Sequence, residues 1–374
     1  MDDKERLLPW FTLRSVPGVG SLLFKRLIDA FGSPEAVLAA APKSLAAVDG
    51  ISGKLAQSIA AHRIPTSAKQ DLDRALAAGY GVVAMNDPAY PPLLRQIPDP
   101  PAYLYVSGGL DAAAPCIAVV GSRHPTDYGL RTTRRLSRDL AMQGFTVVSG
   151  LARGIDTAAH EGALDGGGKT VAVLGSGLDR IYPAENRRLA GRIAASGAVV
   201  SEFPPEAGPD GHHFPIRNRI ISGMCLGTMI AEATLRSGSL ITARLAADQG
   251  REVFAVPGSI HSHKSTGTHT LIKQGAKLVE HAGDIIEELS PMLSAAGQGD
   301  PSTPAPAAPV LTENEAEVCA VLSPYPIHID ELGRRLSMDS ARLAGLLLGL
   351  ELKGQVRQLP GKFFILDEDS SEPT

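Results

Sequence analysis

The sequence predicts an α/β protein built on a doubly wound parallel sheet, and three observations carry that reading. From Ala114 to about Leu289, short apolar runs recur at Ile117–Val120, Thr146–Val148, Val171–Leu174, Val199–Val200, Met229–Ile230, Val253–Val256 and Leu278–Val279. Most are β-branched and continuous rather than alternating, as strands buried on both faces require. Helical stretches separate most of them, such as "SLITARLAADQG" with Leu240, Ala243, Leu245 and Ala247. Strands joined by crossover helices form a parallel sheet covered on both sides. Ligands of such sheets bind outside the carboxyl ends of the strands, so one edge carries the interest.

The other segments follow in order. Residues 1–75 read as a small helical domain. "LRSVPGVGSLLFKRLIDAFGS" has a turn at Pro17–Gly20 and then an apolar helical pattern at Leu22, Leu23, Leu27 and Ile28. "LAAVDGISGKLAQSIAAHR" repeats the design around Gly50 and Gly53. Paired turns of this kind resemble helix-hairpin-helix (SAM-like) modules, where helix-start N–H groups meet a DNA phosphate. Because the turns carry few basic residues, a plain packing domain is an equal alternative. Residues 76–113 are proline-heavy, with strand-like "GVVAM" and "YLYVSG"; they read as an extended connection packed on the core domain, 114–291. Residues 292–309 read as a disordered Pro/Ala/Ser/Gly linker. Residues 310–368 give three helices and then two short strands around "LPGK", a winged-helix pattern. Its expected recognition helix, "DSARLAGLLLGLELKG", is poor in positive charge, so protein contact or packing competes with DNA binding there. The acidic tail, 369–374, is expected to be disordered.

The 374 residues suffice for two or three domains, and 44% hydrophobic residues allow a sizeable core. The formal net charge of −4 points to no polyanion, yet from Gly121 to Arg251 fifteen Arg and one Lys face twelve Asp and Glu, an excess of 16 − 12 = +4. Arg suits planar, bidentate phosphate contacts better than Lys. Three separated cysteines, Cys116, Cys225 and Cys319, argue for a reducing compartment and against a disulfide framework or cysteine-rich zinc site. The start "MDDKERLLPWF" lacks signal-peptide regions, and no apolar run reaches membrane-spanning length. The expectation is a cytoplasmic protein without a membrane partner.

Five loops are expected on the carboxyl edge. "GSRHPTDYG" offers Gly121, Ser122 and Arg123; "SGLARGIDTAAHEGAL" offers Gly150, Arg153 and Gly154 as a phosphate grip before a helix near Ile155. The helix's inner face of Ile155, Ala158, Ala159, Gly162 and Ala163 is small, and Asp156 reads as a first-turn cap before it reads as a base. "GSGLDRIYPAENRRL" fails as a dinucleotide fingerprint because Arg180 stands where a glycine is needed, but it carries Asn186, Arg187 and Arg188. "HHFPIRNRIISG" places Arg217, Asn218 and Arg219 just before a helix, with Phe214 alongside. An aromatic among Arg and Asn suits a single strand, which needs a stacking surface and phosphate contacts; core Phe214 and solvated arginines are the plainer reading. "EATLRSGSLITA" puts Ser237, Gly238 and Ser239 at a helix N-terminus. Together the loops point to an extended polyanion. Catalysis reads poorly: GxSxG and GxxxxGK[ST] are absent, and His212, His213, His261 and His263 lack HExxH spacing. No catalytic residue, metal or cofactor is expected.

The ordered motifs "VVGSRHPTDYG", "VVSGLARGIDTAAHEGAL", "TVAVLGSGLDRIYPAENRRL", "SEFPP", "HFPIRNRIISG", "EATLRSGSLITARLAADQGREVFAVPGS" and "GTHTLIKQGAKLV" resemble the DNA-processing protein A family (DprA, also called Smf). "YPPLLRQIPDPPAYLYVSG" and the winged-helix tail extend the likeness over nearly the whole chain. His269 stands where many members have Asn, a difference that touches only a local hydrogen bond. The resemblance implies a Rossmann-like core that binds single-stranded DNA, forms a homodimer and loads the RecA recombinase during natural transformation of competent cells, without catalysis. It carries DNA contact to Arg123, Asn186, Arg187, Phe214, Arg217, Asn218 and Arg219, and dimer contact to Leu271 and Ile272. The rival reading is a nucleotide-processing phosphoribohydrolase, whose "PGGxGTxxE" loop supplies a catalytic Glu; the matching place here, "EATLRSGSLITA", has none after the turn. A pure protein-interaction scaffold would leave the arginine loops unexplained.

Overall fold

A computed structural model describes residues 3–295, 312–323, 326–336, 338–353, 355–359 and 361–366. The chain divides into two compact units, Met1–Asp300 and Pro301–Thr374. The first unit opens with helices α1 (Asp3–Arg14), α2 (Ser21–Phe31), α3 (Pro34–Ala39), α4 (Pro42–Leu45), α5 (Gly53–Ala61) and α6 (Thr66–Ala77). Both expected turns are there: α2 starts straight after Pro17–Gly20, and the Ser52 hydroxyl caps α5 by accepting from the Leu55 N–H at 3.2 Å.

Residues 76–113 do more than connect. They supply β1 (Gly81–Ala84), α7 (Pro92–Gln96) and β2 (Tyr103–Gly108), and both strands join the main sheet in antiparallel register. Phe11 of α1 stacks on Tyr103 of β2 with ring centroids 4.2 Å apart. Trp10, Phe11, Phe24 and Leu27 therefore share one hydrophobic core with the sheet, and the helices expected as a domain of their own are built into it.

The sheet continues through β3 (Cys116–Val120), α8 (Asp127–Met142), β4 (Thr146–Ser149), α9 (Ile155–Asp165), β5 (Thr170–Leu174), α10 (Arg187–Ser196) and β6 (Ala198–Ser201). After α11 (His213–Gly223) come β7 (Gly227–Ile230), α12 (Ser239–Asp248), β8 (Glu252–Ala255), α13 (Thr266–Lys273), β9 (Lys277–Leu278) and α14 (Ala282–Ala295). Each predicted apolar run is a strand, and β3 to β7 are buried at every position. The order is β1-β2-β6-β5-β4-β3-β7-β8-β9, parallel from β6 to β9. The winding direction reverses between β3 and β7, so a crevice opens there at the carboxyl edge. Helix α14 extends to Ala295, which corrects the expected start of the linker at 292: Leu289 is fully buried and the helix continues past it. The rest of that linker, to 309, and the tail at 369–374 lie outside the described residues. Among the described residues, no helix is long and apolar enough to cross a membrane.

The second unit packs α15 (Glu313–Val321), α16 (Ile329–Leu336) and α17 (Ser340–Leu352) with three strands. The strands β10 (Ile327–His328), β11 (Val356–Leu359) and β12 (Phe363–Leu366) lie in the order β10-β12-β11. Leu332, Leu343, Leu347 and Phe364 fill its own core. The winged-helix pattern is present, with a short extra strand before α16 that the sequence did not signal.

One buried group gives the first unit an acid sensitivity. His160 of α9 is fully buried, its Nδ1 lies 2.7 Å from the Thr170 hydroxyl, and that hydroxyl donates to the Val147 carbonyl at 2.6 Å. Thr170 therefore accepts from a neutral imidazole. Burial, reinforced by the Arg217 charge, pushes the His160 pKa down to about 3. The unfolded chain thus binds a proton that the folded chain refuses, and stability falls as pH drops from the ordinary histidine value toward the depressed one. Between neutrality and a point about 1.5 units below the ordinary value, the loss is about 2 kcal/mol. In urea titrations His160→Gln is expected to lack that part of the acid sensitivity; equal pH slopes in the two proteins would refute it.

Candidate nucleic-acid interface

The crevice between β3 and β7 is closed below by three interlocked loops. The loop after β3 is fastened to the end of β7: the Ser122 N–H donates to the Glu232 carbonyl at 2.8 Å. The buried Glu232 carboxylate accepts from the Thr126 N–H at 3.1 Å and the Thr126 hydroxyl at 2.5 Å. With its loop held at both ends, Arg123 projects into solvent and makes no ion pair among the described residues. Its guanidinium carbon lies 5.3 Å from the centre of the Phe214 ring, within cation–π range.

The glycine turn after β4 differs in role from the expected phosphate grip. The buried Asp156 carboxylate accepts from the Gly150 and Ala152 N–H groups, each at 3.2 Å, so two of the amides a phosphate would use are already taken. Burial pushes the Asp156 carboxyl up, while the Arg217 charge and those two amides work against the rise. Gly154 has φ +76°, and an added Cβ would stand 2.5 Å from the Ser122 carbonyl oxygen, so only glycine lets this turn lie against the β3 loop. The turn is a lock between loops. Arg153, expected as a contact, is exposed but paired with Glu185 at 2.5 and 2.7 Å. Asn186 is buried, and its amide donates to the Leu151 carbonyl and the Thr157 hydroxyl, both at 2.9 Å. It braces the turn and has no amide hydrogen left for DNA. Arg187 opens α10 exposed and, like Arg188, without an ion pair among the described residues.

The motif "FPIRNR" lies inside α11, not before it, and the helical repeat sends its charges opposite ways. Phe214 and Arg217 face the crevice. Phe214 sits 5.9 Å from the Tyr182 ring, centroid to centroid, forming a half-open aromatic floor beneath Arg123. Arg217 is buried, donating to the Gly150 carbonyl at 2.7 Å and to the Val173 carbonyl, with Nε bonded to Asn218 Oδ1 at 3.2 Å. Desolvation lowers its pKa to about 10, with Asp156 opposing, which leaves it charged at neutral pH. Arg219 turns to the other side of α11, where it is buried and paired with Glu202 at 2.6 Å and Asp99 at 3.2 Å. Two of the four residues expected as DNA contacts in this motif, Arg217 and Arg219, are thus held inside the protein because carbonyls and carboxylates already surround them.

At α12 the Ser237 and Ser239 hydroxyls bond each other at 2.8 Å around the exposed Gly238. Ser239 itself is buried. Arg236, one residue upstream, is exposed and makes no ion pair among the described residues. It was passed over in the sequence, as was Tyr182; an Arg beside a Ser-Gly-Ser helix start and an aromatic in the "IYPAEN" loop were the available signals. Leu271 and Ile272 are half-buried on α13, the helix that packs against β8. His269 meets the Gly258 carbonyl through Nε2 at 3.0 Å.

Comparison with known proteins places these features in context. The family model described as DNA recombination-mediator protein A matches residues 81–290, a DprA winged helix domain matches 302–362, and a SAM-like helix-hairpin-helix tandem matches 12–62. The chain is 35% identical to Protein Smf of Synechocystis sp. over 386 aligned residues, covering 94% of this chain and 96% of that one. The X-ray structure of DNA processing protein A from Streptococcus pneumoniae superposes with a TM-score of 0.63 at 34% identity, over 77% of this chain and 98% of that one. A DNA processing protein A structure from Helicobacter pylori, described by its single-stranded DNA binding mode, superposes with a TM-score of 0.52 at 31% identity, over 57% of this chain and 96% of that one.

Proposed function

The chain belongs to the DNA recombination-mediator protein A family, and from that premise we propose that it binds single-stranded DNA across the carboxyl edge of its sheet. The observation that carries the reading is Arg123, unpaired and exposed, standing over the aromatic floor of Phe214 and Tyr182. A strand stacks a base on such a floor while its phosphates meet the guanidinium. Arg187, Arg188 and Arg236 extend the unpaired positive charge along the same edge. The names of the Streptococcus and Helicobacter relatives, a DNA-processing protein and a single-strand binder, support the same reading. The two carboxylates at the crevice, Asp156 and Glu232, are both committed to loop hydrogen bonds, which disfavours the nucleotide-processing alternative. In this reading the protein has no catalytic step: it protects the strand and, as a homodimer meeting through α13 with Leu271 and Ile272, delivers it to RecA during transformation or recombination in the cytoplasm.

Single-stranded DNA is expected to bind better than duplex, with log affinity falling against log salt at a slope of about −3, since four unpaired arginines release roughly 0.7 counterion each. Fluorescence anisotropy across a salt series measures both quantities, and equal affinity for the two forms would remove the claim. Adding RecA and a single-strand-binding protein to the same assay tests delivery, the expected result being faster displacement of the latter.

A further inference from the structure

One arginine of the carboxyl edge already grips an anion, and the protein itself supplies it. Arg153 stands in the turn after β4, between Gly150 and Gly154. Its Nε and Nη2 donate to the two carboxylate oxygens of Glu185 at 2.5 and 2.7 Å. A guanidinium holds a phosphate with the same two parallel N–H groups, so Glu185 fills the place a phosphate would take. Both side chains are 54% exposed, which leaves the pair open to exchange.

Arg153 lies among the other parts of the groove. The Ile155 N–H, two residues on, donates to the Ser122 carbonyl at 3.1 Å, and Arg123 follows Ser122. On the other side Asn186, next to Glu185, donates to the Leu151 carbonyl at 2.9 Å. The Arg153 pKa is raised first by the Glu185 hydrogen bond and then by the Glu185 charge, with the Tyr182 phenol adding a smaller push. Arg153 is therefore bracketed by the loop of Arg123 and the loop of Tyr182, one ring of the aromatic floor.

Glu185 is marked by its choice of partner. It is the one carboxylate in "RIYPAENRR", where Arg180, Arg187 and Arg188 are all exposed and make no ion pair among the described residues. Those neighbours stay open while Glu185 reaches across to the loop after β4. An exposed pair of this kind contributes little to stability, because water screens it and two long side chains must be fixed to form it. A strand already held by Arg123 and Phe214 presents its next phosphate at high effective concentration, and so displaces a weak partner readily.

We propose that Glu185 guards a phosphate subsite on Arg153: a phosphate of the bound strand displaces the carboxylate and takes the guanidinium fork in its place. The proposal rests on the single-strand reading and adds to it a fifth arginine, uncovered only on binding. The exchange conserves charge, since one phosphate is neutralised while one carboxylate returns to solvent and its counterion.

Anisotropy with labelled oligo(dT) across a salt series, on the full chain, compares wild type, Glu185→Gln, Arg153→Ala and the double variant. Glu185→Gln is expected to bind roughly two- to fivefold tighter, since no ion pair has to be broken. Its log–log salt slope should steepen by about 0.7, because Arg153 then meets its phosphate without releasing a carboxylate. In the Arg153→Ala background the same substitution should leave the slope unchanged, although it removes the same negative charge. A tighter complex cannot arise from a damaged fold, so the variant reports on the site itself. Wild-type affinity and slope in Glu185→Gln, or a steepening that persists without Arg153, overturns the subsite alone. Failure of the wild type to bind oligo(dT) overturns the groove reading and the subsite with it.

Discussion

Replacing Arg217 by Ala is expected to destabilise the fold by about 3–5 kcal/mol, well beyond a loss of DNA contact. The guanidinium is 4% exposed and ties the turn after β4 to the end of β5 through the Gly150 and Val173 carbonyls. Gly150 leaves the space for it: a Cβ there would stand 2.4 Å from Nη1. Removing the side chain leaves two carbonyls without their donor and takes the positive charge away from the buried Asp156, which keeps only its two amide donors. Lys cannot restore the arrangement, because a point ammonium does not reproduce the guanidinium fork. Urea denaturation measures the effect. A variant that unfolds at the wild-type midpoint would show that Arg217 is dispensable to the fold.

The opposite behaviour is expected of Arg123 and Arg236. Replacing both by Ala should weaken single-stranded DNA binding by more than about tenfold, since each charge-assisted phosphate contact is lost without compensation. The same change should leave the unfolding midpoint untouched, because both side chains are exposed and neither holds an ion pair among the described residues. The salt slope should flatten by about 1.4 as two counterions fewer are released. Unaltered affinity in the double variant would remove the carboxyl-edge groove from the account. Paired with Arg217→Ala, the experiment separates an arginine that holds the edge together from arginines that use it.

The strands were legible because burial on both faces leaves no choice of residue: β3, β4 and β5 read as apolar runs and are buried throughout. The edge loops were legible for a related reason, since parallel strands must deliver all their carboxyl ends to one side. β1 and β2 were harder to place. "GVVA" and "YLYVSG" look like strands, but nothing local says that they pair antiparallel with the sheet and bring the N-terminal helices into its core.

Which residues of the edge can meet DNA was decided only in three dimensions. Arg123, Arg217 and Arg219 are chemically identical in the sequence, and the helical repeat and the neighbouring loops gave them three fates: solvent, two backbone carbonyls, and a pair of carboxylates. The glycine turn shows the same division. Its sequence required a sharp bend before a helix, while the packing of Asp156 and Arg217 against it turned a ready anion site into a lock. Periodicity and composition act along the chain and so determine the sheet, its layers and the edge that faces a ligand. The partner of a given donor or acceptor depends on groups distant in sequence, and only the folded packing supplies them.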